Sequence, residues 1–406
     1  MFTFACLFMG AYMTVTQSVG FLENRDSSTI SYNHFNQDPS DQYPTFSICL
    51  KGKDIFWENE EFVFDNVGVT SAEYVEILKG NGFRYKFDEH AQSFQKEDLD
   101  INNVSMINFE SITLKPSDVI LGSELITNTR NSTVRFGTRA EDDTHLEKTP
   151  FYIGYRSPDE TCFSRRSTYE PNVVRHYDLI FMNGLFLRPG AHSNLEMKVI
   201  VHYPGQLLRN YDNPRYSSTF DSHNREQILE LKISHVTTLK KRPSSNVRCD
   251  DTIESDDAKF REEVVKNIKC IPVYWKGIMP NQNNSEVCQS SRQLRDAAFL
   301  IENLNDVLDS YDPPCAEMST LVTVNKDLPQ TKDQFKIMIR YTELVYQNIE
   351  NSRGTSFETF FSGVGGFVGI FCGYSIMQVP EFFDNAQPRI FFNQIKEKAC
   401  KCDYCG

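Results

Sequence analysis

The residues "FFSGVGGFVGIFCGYSIMQVPEFFDNAQ", Phe360 to Gln387, decide how the rest of the chain is read. From Thr359 to Pro380 nothing is charged, yet five glycines interrupt the run, and the carboxylates Glu381 and Asp384 follow at once. A buried core helix would favour Leu and Ala, because each Gly costs about 1 kcal/mol of helix stability. Gly365, Gly369 and Gly373 stand four apart, which on a helix sets them along one face where neighbouring helices approach closely. That spacing fits the dimer packing of a simple anchor as well as a pore. Gly373, Tyr374 and Ser375 would allow an unwound backbone, which is tolerated at membrane depth only when buried in protein or lining a water-filled cavity. Ion filters are built from such carbonyls, or from rings of carboxylates at the mouth, which Glu381 and Asp384 would form in a symmetric oligomer. Ordinary interfacial charge is the plainer reading of that pair.

The chain opens on a second uncharged run, "MFTFACLFMGAYMTVTQSVGFL", with no charge until Glu23. A signal peptide is the lesser reading, since the run lacks the positive start and a convincing small-residue cleavage site. At about 22 residues it is long enough to span a bilayer. The expectation is therefore a membrane protein with two transmembrane helices flanking one large α+β ectodomain. Residues 1–22 form the first helix, 23–358 the cysteine-bearing extracellular domain, 359–387 the second, pore-lining helix and 388–406 a cytosolic tail. This places the protein in the plasma membrane as a multi-pass chain with both termini cytosolic and the lipid bilayer as a partner.

Over 406 residues the hydrophobic fraction is 40% and the mean hydropathy −0.44, which excludes a chain built mostly of membrane helices. A net charge of −13 argues against nucleic acid as a partner, since binders of nucleic acid show a basic patch. Cys49, Cys162, Cys249, Cys270, Cys288 and Cys315 lie in the polar middle; an even count in an extracellular setting suggests three disulfides, with fifteen pairings open. Sequons at Asn103, Asn131 and Asn283 fit a glycosylated exterior. The tail cysteines Cys400, Cys402 and Cys405 read as plain thiols before a lipidation cluster or a metal site, and no zinc spacing occurs in the middle. There is no HExxH, GxSxG or P-loop, and His90, His192 and His202 read as structural residues, so no enzyme and no cofactor are expected.

Strand patterning marks "YPTFSICL" (43–50), "NLEMKVIVHY" (194–203), "QILELKISHVTTL" (227–239) and "FKIMIRYTELVYQ" (335–347). Two stretches read as helices. Residues 255–269 begin acidic and end on Lys269, which complements the helix dipole. Residues 290–311 carry an apolar stripe from Leu294 to Leu308 and stop at "DPPC". Glu302, Asp306, Asp309 and Asp312 on the latter read first as a solvated face; facing other carboxylates they would titrate near neutral pH. Segment 85–150 is polar and gives no clear pattern.

"GGFVGIFCGYSIMQVPEFFD" resembles the second membrane segment of the degenerin, epithelial sodium channel and acid-sensing ion channel family, with Glu381 and Asp384 six and nine residues after Ser375. "YPTFSIC" (43–49), "DETCFS" (159–164), "LKKRPSSNVRC" (239–249), "CIPVYW" (270–275) and "YDPPC" (311–315) resemble further boxes of the same family. The resemblance implies a β-rich palm and ball, a helical thumb and finger, and pairing of Cys49 with Cys162, Cys249 with Cys315, and Cys270 with Cys288. It also implies a homo- or heterotrimeric, amiloride-sensitive-type channel that passes sodium as its permeant ion. Gating would come from the extracellular side, by protons, a peptide or another ligand, or force. Gly373, Tyr374 and Ser375 would be the selectivity filter, Ser362, Gly365, Gly366 and Gly369 the pore lining and gate, and Glu381 and Asp384 the cytosolic mouth. The chain departs from the pattern at Gly363, where the family often has Asp, at Pro380, where it has Leu, and in lacking the family's His-Gly gating motif. A non-conducting surface receptor or accessory subunit that keeps the fold is the alternative.

Overall fold

A computed structural model describes residues 2–22, 26–35, 43–52, 69–81, 83–88, 93–98, 109–126, 134–137, 151–166, 177–182, 196–221, 228–243, 248–279, 286–328, 335–354 and 356–372. The chain divides into two units, Met1–Thr29 with Asn351–Gly406, and Ile30–Glu350. In chain order the first elements are α1 (Phe2–Leu22), β1 (Asp26–His34), β2 (Thr45–Lys51), α2 (Ser71–Leu78), β3 (Phe83–Asp88), β4 (Ser93–Asp98), α3 (Phe109–Ile112) and α4 (Pro116–Val119). Then come β5 (Ile120–Ile126), β6 (Val134–Gly137), β7 (Phe151–Ser157), β8 (Glu160–Arg165), β9 (Tyr177–Met182), β10 (Glu196–His202), β11 (Ser217–Asp221) and β12 (Ile228–Lys240). The last are α5 (Asp256–Ile268), α6 (Ser291–Glu302), α7 (Leu304–Leu308), β13 (Ala316–Leu328), β14 (Phe335–Tyr341), β15 (Val345–Arg353) and α8 (Phe357–Cys372).

The larger unit is built on two sheets. One runs β1-β15-β12-β14-β9-β5-β6 with β13 also paired to β12; the other runs β11-β10-β2-β8-β7. The strands foreseen at 43–50, 194–203 and 227–239 are β2, β10 and β12, while the run 335–347 is broken by Thr342–Leu344 into β14 and β15. That break lets β12 lie parallel to β14 over Ile228–Ile233 and then parallel to β15 over Thr237–Lys240. Between the two stretches β12 bulges, and His235 takes a left-handed φ of 50°. In the second sheet Phe46, Ile48, Phe163, Val199 and Val201 are buried, and Cys49 stands directly opposite Cys162 in the β2–β8 register.

The helical layer owes its limits to local chemistry. Ser255 caps α5 by accepting from the Ala258 N–H at 3.3 Å, and Lys269 ends it in the left-handed region at φ 62°. Ser290 and Gln293 form a capping box at the start of α6. Between α5 and α6 Trp275 packs edge-on against Phe260 and Tyr274, at 6.1 and 5.9 Å between ring centroids. Disulfides join Cys49 to Cys162, Cys249 to Cys315 and Cys270 to Cys288, the three pairs that the family resemblance implies. Glu302, Asp306, Asp309 and Asp312 are all exposed, a solvated face. The unreadable segment 85–150 supplies α3, α4, β5, β6 and parts of the hairpin β3–β4.

The expectation of two transmembrane helices is corrected, and with it the multi-pass plasma-membrane placement. Among the described residues no helix is long and apolar enough to cross a membrane. α8 is described over 16 residues, Phe357–Cys372. α1 has 21 residues, but its second half is diluted by Thr14, Thr16, Gln17 and Ser18. Three of these turn their hydroxyls back onto the helix, to the carbonyls of Gly10, Tyr12 and Thr14 at 2.7–2.8 Å. An uncharged run is a weaker signal than an apolar one.

Candidate functional site

In the larger unit the chain leaves β10 through Tyr203–Asp212, and four anchors hold this loop. Asp257, in the first turn of α5 and buried, accepts from the Leu207 and Leu208 N–H groups at 3.1 and 3.0 Å. Burial raises its pKa, and those two backbone bonds with the Arg261 cation pull it back. Gln206 Nε2 donates to the Ala316 carbonyl at 2.7 Å, Arg209 Nη2 donates to the Leu308 carbonyl at 3.3 Å, and the Arg209 guanidinium pairs with Asp256. Gly205 makes its turn at φ 79° against Ser255, a conformation in which a side chain would be strained.

The end of this loop delivers Tyr211 to Glu160. Glu160 is the first residue of β8, opposite Lys51 of β2 and Ser157 of β7 in the ladder, and only 6% exposed. The Tyr211 hydroxyl donates to Glu160 Oε1. Lys198 Nζ lies 3.9 Å from the centre of the Tyr211 ring, a cation–π contact, and reaches Asp212 at 3.4 Å. Across the β7–β8 turn Lys79 Nζ pairs with Asp159 at 3.3 Å. Lys79, Asp159, Glu160, Tyr211 and Asp212 line a cavity of about 230 Å³ whose apolar wall is formed by Leu208, Ala298, Ile301 and Leu304. Burial pushes the Glu160 carboxyl up to about 7; the Tyr211 hydrogen bond and the Lys51 and Lys198 cations oppose that rise, and Asp159 adds to it. Burial, with the Glu160 charge, raises the Tyr211 hydroxyl as well.

Glu160, Cys49 and Cys162 are the group of possible metal ligands that the described residues bring together. Both sulfurs are consumed by the disulfide, so no thiolate remains for a metal. A second buried polar chain joins Ser164, Ser47 and His202: Ser47 Oγ lies 2.6 Å from Ser164 Oγ and 2.7 Å from His202 Nε2, while His202 Nδ1 lies 2.7 Å from the Tyr203 carbonyl. The carbonyl fixes the proton on Nδ1, so Nε2 accepts from Ser47. All three side chains are sealed in the core, which makes this a packing device, as expected of His202.

Of the sequence-derived pore residues, Ser362, Gly365, Gly366 and Gly369 lie on α8, with Ser362 and Gly366 exposed. Within the smaller unit it is Gly363 that sits against α1, where an added Cβ would run into the Gln17 amide, whereas a Cβ on Gly366 would meet nothing within 4 Å. Gly373, Tyr374, Ser375, Glu381 and Asp384, and the sequons at Asn103, Asn131 and Asn283, lie outside the described residues. Glu160 and Tyr211 were not singled out from the sequence. The signal available was an acid two residues before the cysteine in "DETCFS", at the head of a strand whose every residue is buried.

No family model matches the chain, and no curated protein matches it. Among solved structures, that of a proton-activated chloride channel aligns over 96% of this chain and 96% of its own, at 7% identity and a TM-score of 0.29. A likeness of that size carries no argument about fold or activity.

Proposed function

We propose that the chain is a subunit of a trimeric, amiloride-sensitive-type sodium channel, gated through its larger unit. The observation that supports this most is the disulfide frame. Cys49–Cys162 staples two strands of the second sheet, while Cys249–Cys315 and Cys270–Cys288 bracket the helical layer, in the pairing that the degenerin-type resemblance implies. The stretch "GYSIMQVPEFFD" follows α8 directly, and in this reading Gly373, Tyr374 and Ser375 select the ion while Glu381 and Asp384 concentrate cations at the mouth. The loop Tyr203–Asp212 joins the second sheet to the helical layer and is the natural path for a gating input.

The test is expression of the full chain in oocytes, alone and with related subunits. An amiloride-blockable sodium current is the expected result. Labelled protein at the oocyte surface with no current in any combination would overturn conduction and leave the accessory or receptor subunit as the reading.

A further inference from the structure

We infer that Glu160 is a proton-binding site whose occupancy sets how firmly the Tyr203–Asp212 loop ties the second sheet to the helical layer. The buried acids Asp256 and Asp257 that hold the loop are committed to other partners. Asp257 is held by two backbone N–H groups, and Asp256 by Arg209 and by the Tyr311 hydroxyl at 2.8 Å. Among the described residues the Glu160 side chain has one hydrogen bond, from Tyr211, and no ion pair. It sits in a cavity rather than in packed core, so a proton has a route to it.

The charged and titratable groups around it come from every adjoining element. Lys51 is on β2, Tyr155 on β7, Asp159 in the β7–β8 turn and Lys198 on β10; Lys79 follows α2, Asp212 ends the loop and Glu302 ends α6. The cations Lys51 and Lys198 favour the charged carboxylate; burial and Asp159 favour the neutral acid, and burial is the largest influence. A carboxyl raised from 4.5 to about 7 binds its proton roughly 300-fold more tightly in the packed arrangement than in water. The sign follows. The packed arrangement is favoured below about pH 7, and the preference fades as pH rises through that value, when the charged carboxylate gains by solvation. Acid tightens the loop onto the sheet and alkali loosens it. Because the same loop is bonded to α5 through Asp257, to α7 through the Leu308 carbonyl and to β13 through the Ala316 carbonyl, the change reaches the helical layer.

The gating role of this site rests on the channel proposed above; the proton binding does not. Hydrogen exchange on the full-length chain, normalised for the intrinsic effect of pH, tests it without any current. The expected result is exchange in residues 203–212 several-fold slower at pH 6 than at pH 8, with protection setting in near pH 7 and growing as pH falls toward 4.5. Glu160→Gln, neutral and of the same shape, should keep the segment protected at both values. Tyr211→Phe should move the onset of protection to higher pH, because the lost hydroxyl favoured the charged form. An undiminished pH difference in Glu160→Gln, or none in the unaltered chain, would overturn the site. An exchange switch in a chain that passes no current supports the site and removes the channel instead.

Discussion

Trp275 and Arg156 are joined by a buried hydrogen bond in which the indole N–H donates to the Arg156 carbonyl at 2.6 Å. It ties the turn between α5 and α6 to the end of β7, just before the hairpin that presents Glu160. Trp275 is fully buried, so Trp275→Phe removes ring volume and also leaves a buried carbonyl without its donor. A loss of about 2–4 kcal/mol in urea unfolding is expected from these combined costs. A loss under about 1 kcal/mol would mean the indole bond is not formed.

The three disulfides close loops of very different size, with sequence separations of 113, 66 and 18. On the loop-entropy account their removal costs about 5, 4 and 3 kcal/mol in that order. Non-reducing peptide mapping should recover these pairs and no others, and Cys→Ser double variants should rank in the same order by urea midpoint. A map that joins Cys249 or Cys270 to a different partner would refute the frame on which the proposed function leans.

Within α8, Gly363 and Gly366 should respond in opposite ways to alanine. Gly366 has open space where a methyl would go, so Gly366→Ala gains up to about 1 kcal/mol of helix propensity with no collision. Gly363→Ala must displace the Gln17 side-chain amide, whose Oε1 has no hydrogen-bond partner among the described residues, so part of the same propensity gain is offset. Thermal unfolding of the two variants separates these outcomes. Equal stabilisation would mean Gln17 yields without cost.

The strands were legible wherever burial alternates or runs unbroken. β2, β10 and β12 fall within two residues of the patterned stretches, because Phe46, Ile48, Val199, Val201, Leu229 and Leu231 all enter the core. The helices expected at 255–269 and 290–311 were likewise legible from local patterning, and they are α5 and the pair α6–α7. What escaped was long-range. Glu160 meets Tyr211 across 51 residues, and nothing local to "DETCFS" tells an exposed acid from one held in a cavity. The first uncharged run was misread as a membrane span for a different reason. Counting charges ignored Thr14, Thr16, Gln17 and Ser18, polar side chains that an α-helix satisfies internally and that lower its apolarity.

If the proposed channel conducts, Ser375→Cys should make the current sensitive to thiol reagents or cadmium, since a filter residue faces the ion path. Whole-cell recording before and after reagent reads this directly. A conducting variant that ignores both reagents would remove residue 375 from the path while leaving conduction itself intact.

His202 gives the clearest pH signature. Burial lowers its pKa from the ordinary 6.5 to about 4, opposed in part by the bond to the Tyr203 carbonyl. Between those values the unfolded chain takes up a proton that the folded chain refuses. Stability is therefore unaffected above pH 6.5 and falls as pH drops toward 4, by about 3 kcal/mol in full. Glu160 acts in the opposite sense, since its raised pKa adds stability as pH falls from about 7 toward 4.5, so the two partly cancel in the unaltered chain. The Glu160→Gln background removes that cancellation. Urea unfolding at pH 7, 5.5 and 4.5 in that background should show stability dropping steadily, and His202→Gln added to it should flatten the slope. A slope unchanged by the second substitution would mean that His202 is not the proton acceptor of the unfolded state, and that another buried group carries the acid sensitivity.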